Sequence, residues 1–226
     1  MYDKGETRLA TAMAISGAAL SPEMGRLGSP ITTFILTLLN IRLNRWMPNP
    51  APSRMAGVRP FWPYYFVKEL FNKGTETDRL LNLSDGGHYE NLGVYELIKR
   101  RCAIIIASDA GADPDFQFVD LANLLRKVRI NMGVEIKIDL KNMRLDKKKN
   151  VKTHFSVGTI KYPDKTEGVF IYIKASMTGG EPEDLLSYRR ENPTFPDEST
   201  SDQFFDEAQF ESYRELGYLT GRTIFS

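Results

Sequence analysis

The sequence is poor in the residues that build the commonest catalytic and metal centres. Of its 226 residues one is cysteine, Cys102, and two are histidine, His88 and His154. A single cysteine excludes an intrachain disulfide and a thiolate cluster, and it fits a reducing compartment or a core position at the start of an apolar strand. Two histidines are too few for a histidine-rich zinc site, so no metal is expected. A Ser-His-Asp triad would have to use one of them. His154 opens a strand in a charged neighbourhood; His88, close behind Asp85, is better placed but reads more simply as a local turn contact.

An excess of charge of one sign is also missing. Thirty Lys and Arg stand against twenty-nine Asp and Glu, a formal net charge of +1, which leaves no basic field of the kind that draws in nucleic acid. Neither G-x-G-x-x-G nor G-x-x-x-x-G-K-[ST] occurs, so loops that cradle nucleotide phosphates are unsupported and no organic cofactor is implied. The opening "MYDKGETRLATAMAIS" has no uninterrupted apolar stretch behind a basic start, as a secretory signal would. The longest apolar run, "ITTFILTLLNIRL" at residues 31–43, already contains Arg42 and falls short of the roughly 20 residues a membrane span needs. It reads as a buried or interface-lying helix. Trp46 and the prolines after it would also suit a membrane boundary, although core plus loop is the simpler reading.

What is present is a chain with 42% hydrophobic and 26% charged residues, able to bury a core as one large α/β domain or as a main domain with an appendage. Helices are expected at residues 8–15, 31–43 and 64–72, the last with Phe66, Val67, Leu70 and Phe71 on one side. The proline-rich residues 45–63 between the last two read as a connection. From Leu80 the pattern becomes strand, turn, helix, strand: "LLNL" is brief and apolar, and Leu92, Tyr95 and Ile98 repeat at helical spacing behind Asn91 as N-cap. "CAIIIAS" then looks like a strand buried on both faces, completing a βαβ-like unit. A helix at residues 119–129 follows, then strands at 134–140, 155–162 and 169–175. The last two are joined by "PDKTE" as a hairpin. The lysines of "MRLDKKKNVK" read as a solvated tip, with a phosphate or lipid-headgroup contact as the alternative. Thr200 and Gln203 have capping-box spacing ahead of a closing helix that carries Phe204, Phe205, Ala208 and Tyr213.

Chemistry concentrates at Asp85. Asp-Gly after a strand is ordinary turn chemistry, but Gly86 and Gly87 together leave the carboxylate without flanking bulk, so a substrate or a second backbone can approach. Gly93, placed inside the following helix, adds a cost of roughly 1 kcal/mol that close packing would explain. Asp109 and Asp113 end the next strand, where sites gather in open α/β sheets; capping is the favoured role.

The stretch "LSDGGHYENLGVYELIKRRCAIIIASDAGADP" resembles the aspartate-bearing half of the patatin-like and cytosolic-phospholipase-like lipid acyl hydrolases, above all a bacterial subgroup. The upstream "ATAMAISGAALSPEMG" is similar to the small-residue segment that precedes Asp-Gly-Gly there, and "STSDQFFDEAQFESYRELGY" to that subgroup's closing helix. The resemblance runs from about Leu9 to Tyr218. It implies an α/β fold, a three-layer patatin-like sandwich, with residues 1–226 as its C-terminal part. It implies a serine/aspartate dyad in which Asp85 takes the serine's proton, an upstream glycine-rich oxyanion loop, and a lipid or membrane surface as substrate on the cytoplasmic side. The sequence departs from the family in having no G-x-S-x-G. Ser16 in "AISGAAL" is the nearest substitute but lacks the first glycine of a nucleophile elbow and matches a non-nucleophilic serine of the family. The resemblance therefore implies a fragment that contributes the base but is inactive alone, incomplete at its N-terminus and able to self-associate through uncovered sheet surface. The alternative is a non-catalytic binding or scaffold module of the same fold.

Overall fold

The computed structural model describes residues 45–49, 64, 68, 75, 77–83, 86, 89–198 and 204–225. The chain forms two compact units, Met1–Asn91 and Leu92–Ser226. The helices expected at residues 8–15 and 31–43 lie outside the described residues. Of residues 64–72, Tyr64 and Lys68 are described and both are helical.

In the first unit β1 (Arg45–Pro48) pairs antiparallel with β2 (Leu80–Leu83), with Arg45 opposite Leu83 and Pro48 opposite Leu80. This corrects the reading of residues 45–63 as connection throughout. Pro48 ends its strand, the kind of position where a missing N–H is tolerated, and Asn49 continues the pairing by donating its N–H to the Arg79 carbonyl at 2.9 Å. The Asn49 side chain, buried, donates to the Asp78 carbonyl at 2.8 Å.

The second unit is α/β, built on a mixed four-stranded sheet. Its elements are α1 (Tyr95–Lys99), β3 (Ile104–Asp109), α2 (Val119–Met132), β4 (Glu135–Lys137), a 3-10 turn at Lys141–Met143, β5 (Phe155–Lys161), β6 (Glu167–Lys174), α3 (Glu183–Glu191) and α4 (Glu207–Phe225). The sheet order is β3-β6-β5-β4. Strands β4, β5 and β6 form an antiparallel meander, and β3 lies parallel to β6. Since β2 and β3 belong to different sheets, the expected βαβ unit is not formed. The β5–β6 hairpin is as the sequence indicates. Asp164 accepts the Thr166 N–H and hydroxyl, Arg101 pairs with Asp164, and Lys165 takes the positive φ that the turn requires.

Burial alternates along β3 rather than covering both faces. Ile105, Ala107 and Asp109 point inward, while Ile104 and Ile106 are 64% and 48% exposed. Inward residues of β3, β5 and β6, among them Ile105, Ile160, Phe170 and Tyr172, form one core with Leu121, Leu124 and Val128 of α2 and with Val94 and Ile98 beside and within α1. On the opposite face the register lines up Ile104 with Val169 and Ile106 with Ile171 and Val157, leaving a row of apolar side chains wholly or partly exposed. A smaller core joins Leu185 of α3, Leu216 of α4, Met177 and Phe195. The Phe195 ring packs edge-on against Tyr188 and Tyr213.

Several helix ends differ from expectation. Helix α1 starts after Val94, not at an Asn91 cap, and Gly93 lies before the helix at φ +68°, a turn position that suits glycine. Helix α2 runs on to a left-handed Gly133. Helix α4 begins at Glu207, behind Phe204 and Phe205; Asp206 accepts the Gln209 N–H at 2.7 Å and does the capping expected of Thr200, which is outside the described residues. Helix α3 has no counterpart in the sequence reading. Strand β4 is shorter than expected. Beyond it the chain crosses Gly158 of β5, where an added Cβ would stand 2.6 Å from the Lys137 carbonyl oxygen.

One-sided burial makes adjacent isoleucines unequal. Ile105→Ala should cost about 2–5 kcal/mol and Ile104→Ala less than about 1 kcal/mol, as measured by urea denaturation. Equal costs would mean that both faces of β3 are covered.

Candidate functional site

Asp85, Gly87, His88 and Ser16 lie outside the described residues; Gly86 is described. Strand β2 ends at Leu83, and the Gly86 carbonyl accepts the N–H groups of Tyr89 at 2.9 Å and Glu90 at 3.0 Å. A Cβ built on Gly86 would meet nothing within 4 Å. The space at Gly86 itself is therefore open.

In the second unit the parallel pairing of β3 with β6 brings two strand ends to one rim, with Asp109 opposite Lys174. The Lys174 ammonium, 1% exposed, lies 3.3 Å from Asp109 Oδ1 and donates to the Gly111 carbonyl. The same Oδ1 accepts the Gly111 N–H at 2.9 Å, and Oδ2 accepts the Tyr172 hydroxyl at 2.5 Å. Burial, then the bond to Asp109, pushes the Tyr172 phenol far above its ordinary range, so it stays a donor. Asp113 accepts the N–H groups of Gln117 at 2.9 Å and Phe118 at 2.7 Å, which holds the turn into α2. Asp109 and Asp113 thus both cap backbone, and Asp109 also neutralises a buried lysine. Among the described residues no three His, Cys, Asp or Glu side chains converge as a metal-binding set.

Asp197, which no sequence signal marks, approaches the same rim and accepts the Asp113 N–H at 3.4 Å. Burial pushes its carboxyl up to about 6, against the pull of Lys174; the charges of Asp113 and Asp109 reinforce the rise.

His154 forms a second polar cluster that residue counting alone could not place. Its Nδ1 is 3.1 Å from Ser176 Oγ, and its Nε2 is 3.9 Å from Glu181 Oε1. The residue types are those of a hydrolytic triad, but the bonding is not. The Ser176 hydroxyl donates to the Lys174 carbonyl at 2.9 Å, so it accepts from His154, whose Nδ1 carries the proton. Glu181 already binds the Thr178 N–H and hydroxyl and the Gly179 N–H. Although burial pushes Glu181 up, those bonds outweigh it and leave the carboxyl below its usual range. Ser176 has no base to activate it, and the cluster fastens β5 to the segment after β6.

No protein-family model, curated protein or solved structure matches this chain.

These networks set two outcomes. Asp109→Ala leaves Lys174 buried without its counter-charge and should destabilise the fold by about 3–5 kcal/mol in denaturant titrations; a loss under about 1 kcal/mol would show that the lysine finds water. Burial lowers the His154 pKa below 6.5, with Glu181 opposing. The unfolded chain then binds the proton more readily, and the stability lent by neutral His154 is lost as pH falls below about 6.5. The melting temperatures of the wild type and His154→Gln should therefore converge between pH 7.5 and pH 5. A constant gap would contradict a neutral His154.

Proposed function

We propose that the segment around Asp85 supplies the general-base aspartate of a serine/aspartate lipid acyl hydrolase, acting on acyl esters at a lipid surface on the cytoplasmic side. The observation that carries the proposal is the local geometry beside Asp85: a strand that stops at Leu83, a tight turn closed on the Gly86 carbonyl, and open space over Gly86. A base needs such access, because it must come within about 3 Å of the hydroxyl it deprotonates. The tied-up state of Asp109 and Asp113 supports the same choice by elimination, since both commit their oxygens to backbone or to Lys174. The three-layer patatin-like arrangement belongs to this proposal. No described helix is long and apolar enough to cross a membrane.

The 226 residues contain no G-x-S-x-G, so the nucleophile of this reaction is not an elbow serine of this sequence. A scaffold that keeps the aspartate turn without the chemistry is the second reading, favoured by that same observation and by Ser176 being held as a donor to backbone.

In the full-length gene product, Asp85→Asn should lower kcat/KM for a phospholipid ester by about 10²-fold to 10⁴-fold with little change in Tm. Asp109→Asn should lower Tm and leave turnover per folded molecule near wild type. Undiminished turnover by Asp85→Asn would make the Asp-Gly-Gly a plain turn and leave the scaffold reading standing.

A further inference from the structure

We propose that a cavity of about 340 Å³ in the Leu92–Ser226 unit binds a small amphiphilic anion, a short apolar tail bearing one carboxylate or sulfate, with Lys149 as its charge partner. This proposal is independent of the role given to Asp85.

The cavity is lined by Phe116, Leu145, Met177 and Phe195, with Pro114 and Pro196, and it carries Lys149, Arg189 and Asp197 among its few charged groups. Predominantly apolar walls with a few placed charges are the usual make-up of small-molecule sites, and this volume stands at the low end of their range. It suits a medium-length alkyl chain rather than a whole phospholipid.

Lys149 reaches the cavity from a loop that is held on both sides. Asp146 Oδ1 accepts the N–H groups of Lys148 at 2.7 Å and Asn150 at 2.9 Å. From α3, Arg189 donates to Asn150 Oδ1 at 2.6 Å and to the Lys149 carbonyl at 2.7 Å. Its guanidinium is thus largely occupied in bracing the loop. Lys149 itself has φ +58°, where glycine or asparagine is the usual residue and a long side chain is disfavoured. The turn does not select lysine, and its ammonium has no hydrogen bond or ion pair among the described residues. An anion seated over the apolar walls would give that charge a partner. Lys147 and Lys148 precede it in the chain but do not line the cavity.

Asp197 lines the same cavity and opposes an anion while ionised. The charged and titratable groups facing it are Lys174, Asp109, Asp113 and Tyr213, together with the cavity's own Lys149 and Arg189. With its carboxyl pushed up to about 6, Asp197 loses its charge in mildly acidic solution, so the anion binds more tightly below pH 6.

Calorimetric titration of the full chain tests this with octanoate, its neutral analogue octanamide and inorganic phosphate. Octanoate should bind at least about ten-fold more tightly than octanamide, and phosphate should show no measurable binding. Lys149→Gln and Lys149→Gly should both bring octanoate to the octanamide level, and Lys149→Gly should also raise Tm, because glycine accepts the positive φ. Lys147→Gln should bind as wild type. Octyl sulfate, ionised throughout, should bind more tightly at pH 5.5 than at pH 7.5, and Asp197→Asn should remove that difference. Equal binding of octanoate and octanamide would overturn the proposal, as would phosphate binding as well as octanoate. Equal losses in the Lys147 and Lys149 variants would reduce it to a diffuse field, and no octanoate binding at millimolar concentration would end it.

Discussion

The register of the second unit's sheet depends on the buried pair of Asp109 and Lys174. The two residues are opposite partners in the only parallel pairing among the described strands, and both side chains are shielded from water. A slip of β3 by one residue would send its inward side chains to the outer face and leave a lysine ammonium in the core without a counter-charge. The penalty for that error is larger than the preference of any single apolar contact in the strand, so the pair specifies register more than it adds net stability. Its influence extends past the strand ends to the cavity walled by Phe116. Asp109 holds Gly111, Lys174 holds the Gly111 carbonyl and lies 5.9 Å from the Phe116 ring, and Phe116 forms a wall of that cavity.

Local patterning made some of this architecture readable. The alternating apolar strands 155–162 and 169–175 and the turn chemistry of "PDKTE" predict a hairpin because strand preference, turn residues and register agree there. The run "CAIIIAS" announces a strand but misleads about its faces, since a continuous apolar run carries no alternation to say which side is wet. Burial on one side alone is decided by what packs against the strand, in this case α2. Pro48 hides β1, because proline argues against a strand unless the strand ends there. Helix α3 hides for another reason. "EDLLSYRRE" is strongly polar, and its identity rests on Leu185 joining Phe195 and Leu216, residues outside the helix, in one core.

The candidate sites divide along the same line. Asp-Gly-Gly stands out because its chemistry is local: one carboxylate and two glycines in succession. Asp197, Ser176 and Glu181 carry no such signature, and Lys149 stands out only as one of a run of three lysines. Each acquires its character from a distant partner: Asp113 for Asp197, His154 for Ser176 and Glu181, and the Arg189 brace for Lys149. His154 shows how residue identity can suggest the wrong chemistry. It sits with a serine and a glutamate, yet the direction of the donors and acceptors makes the arrangement a fastener.

Gly158 has a consequence for how the sheet can grow. At the end of β4 the backbone of Lys137 and Ile138 lies closer to Gly158 than a side chain there would permit, and the three residues of β4 make an edge too short to template another strand. The opposite border, β3, offers six residues whose outward N–H and C=O groups face away from β6. Among the described strands the sheet is thus one-ended: of its two borders, β3 is the one long enough for a further strand to add.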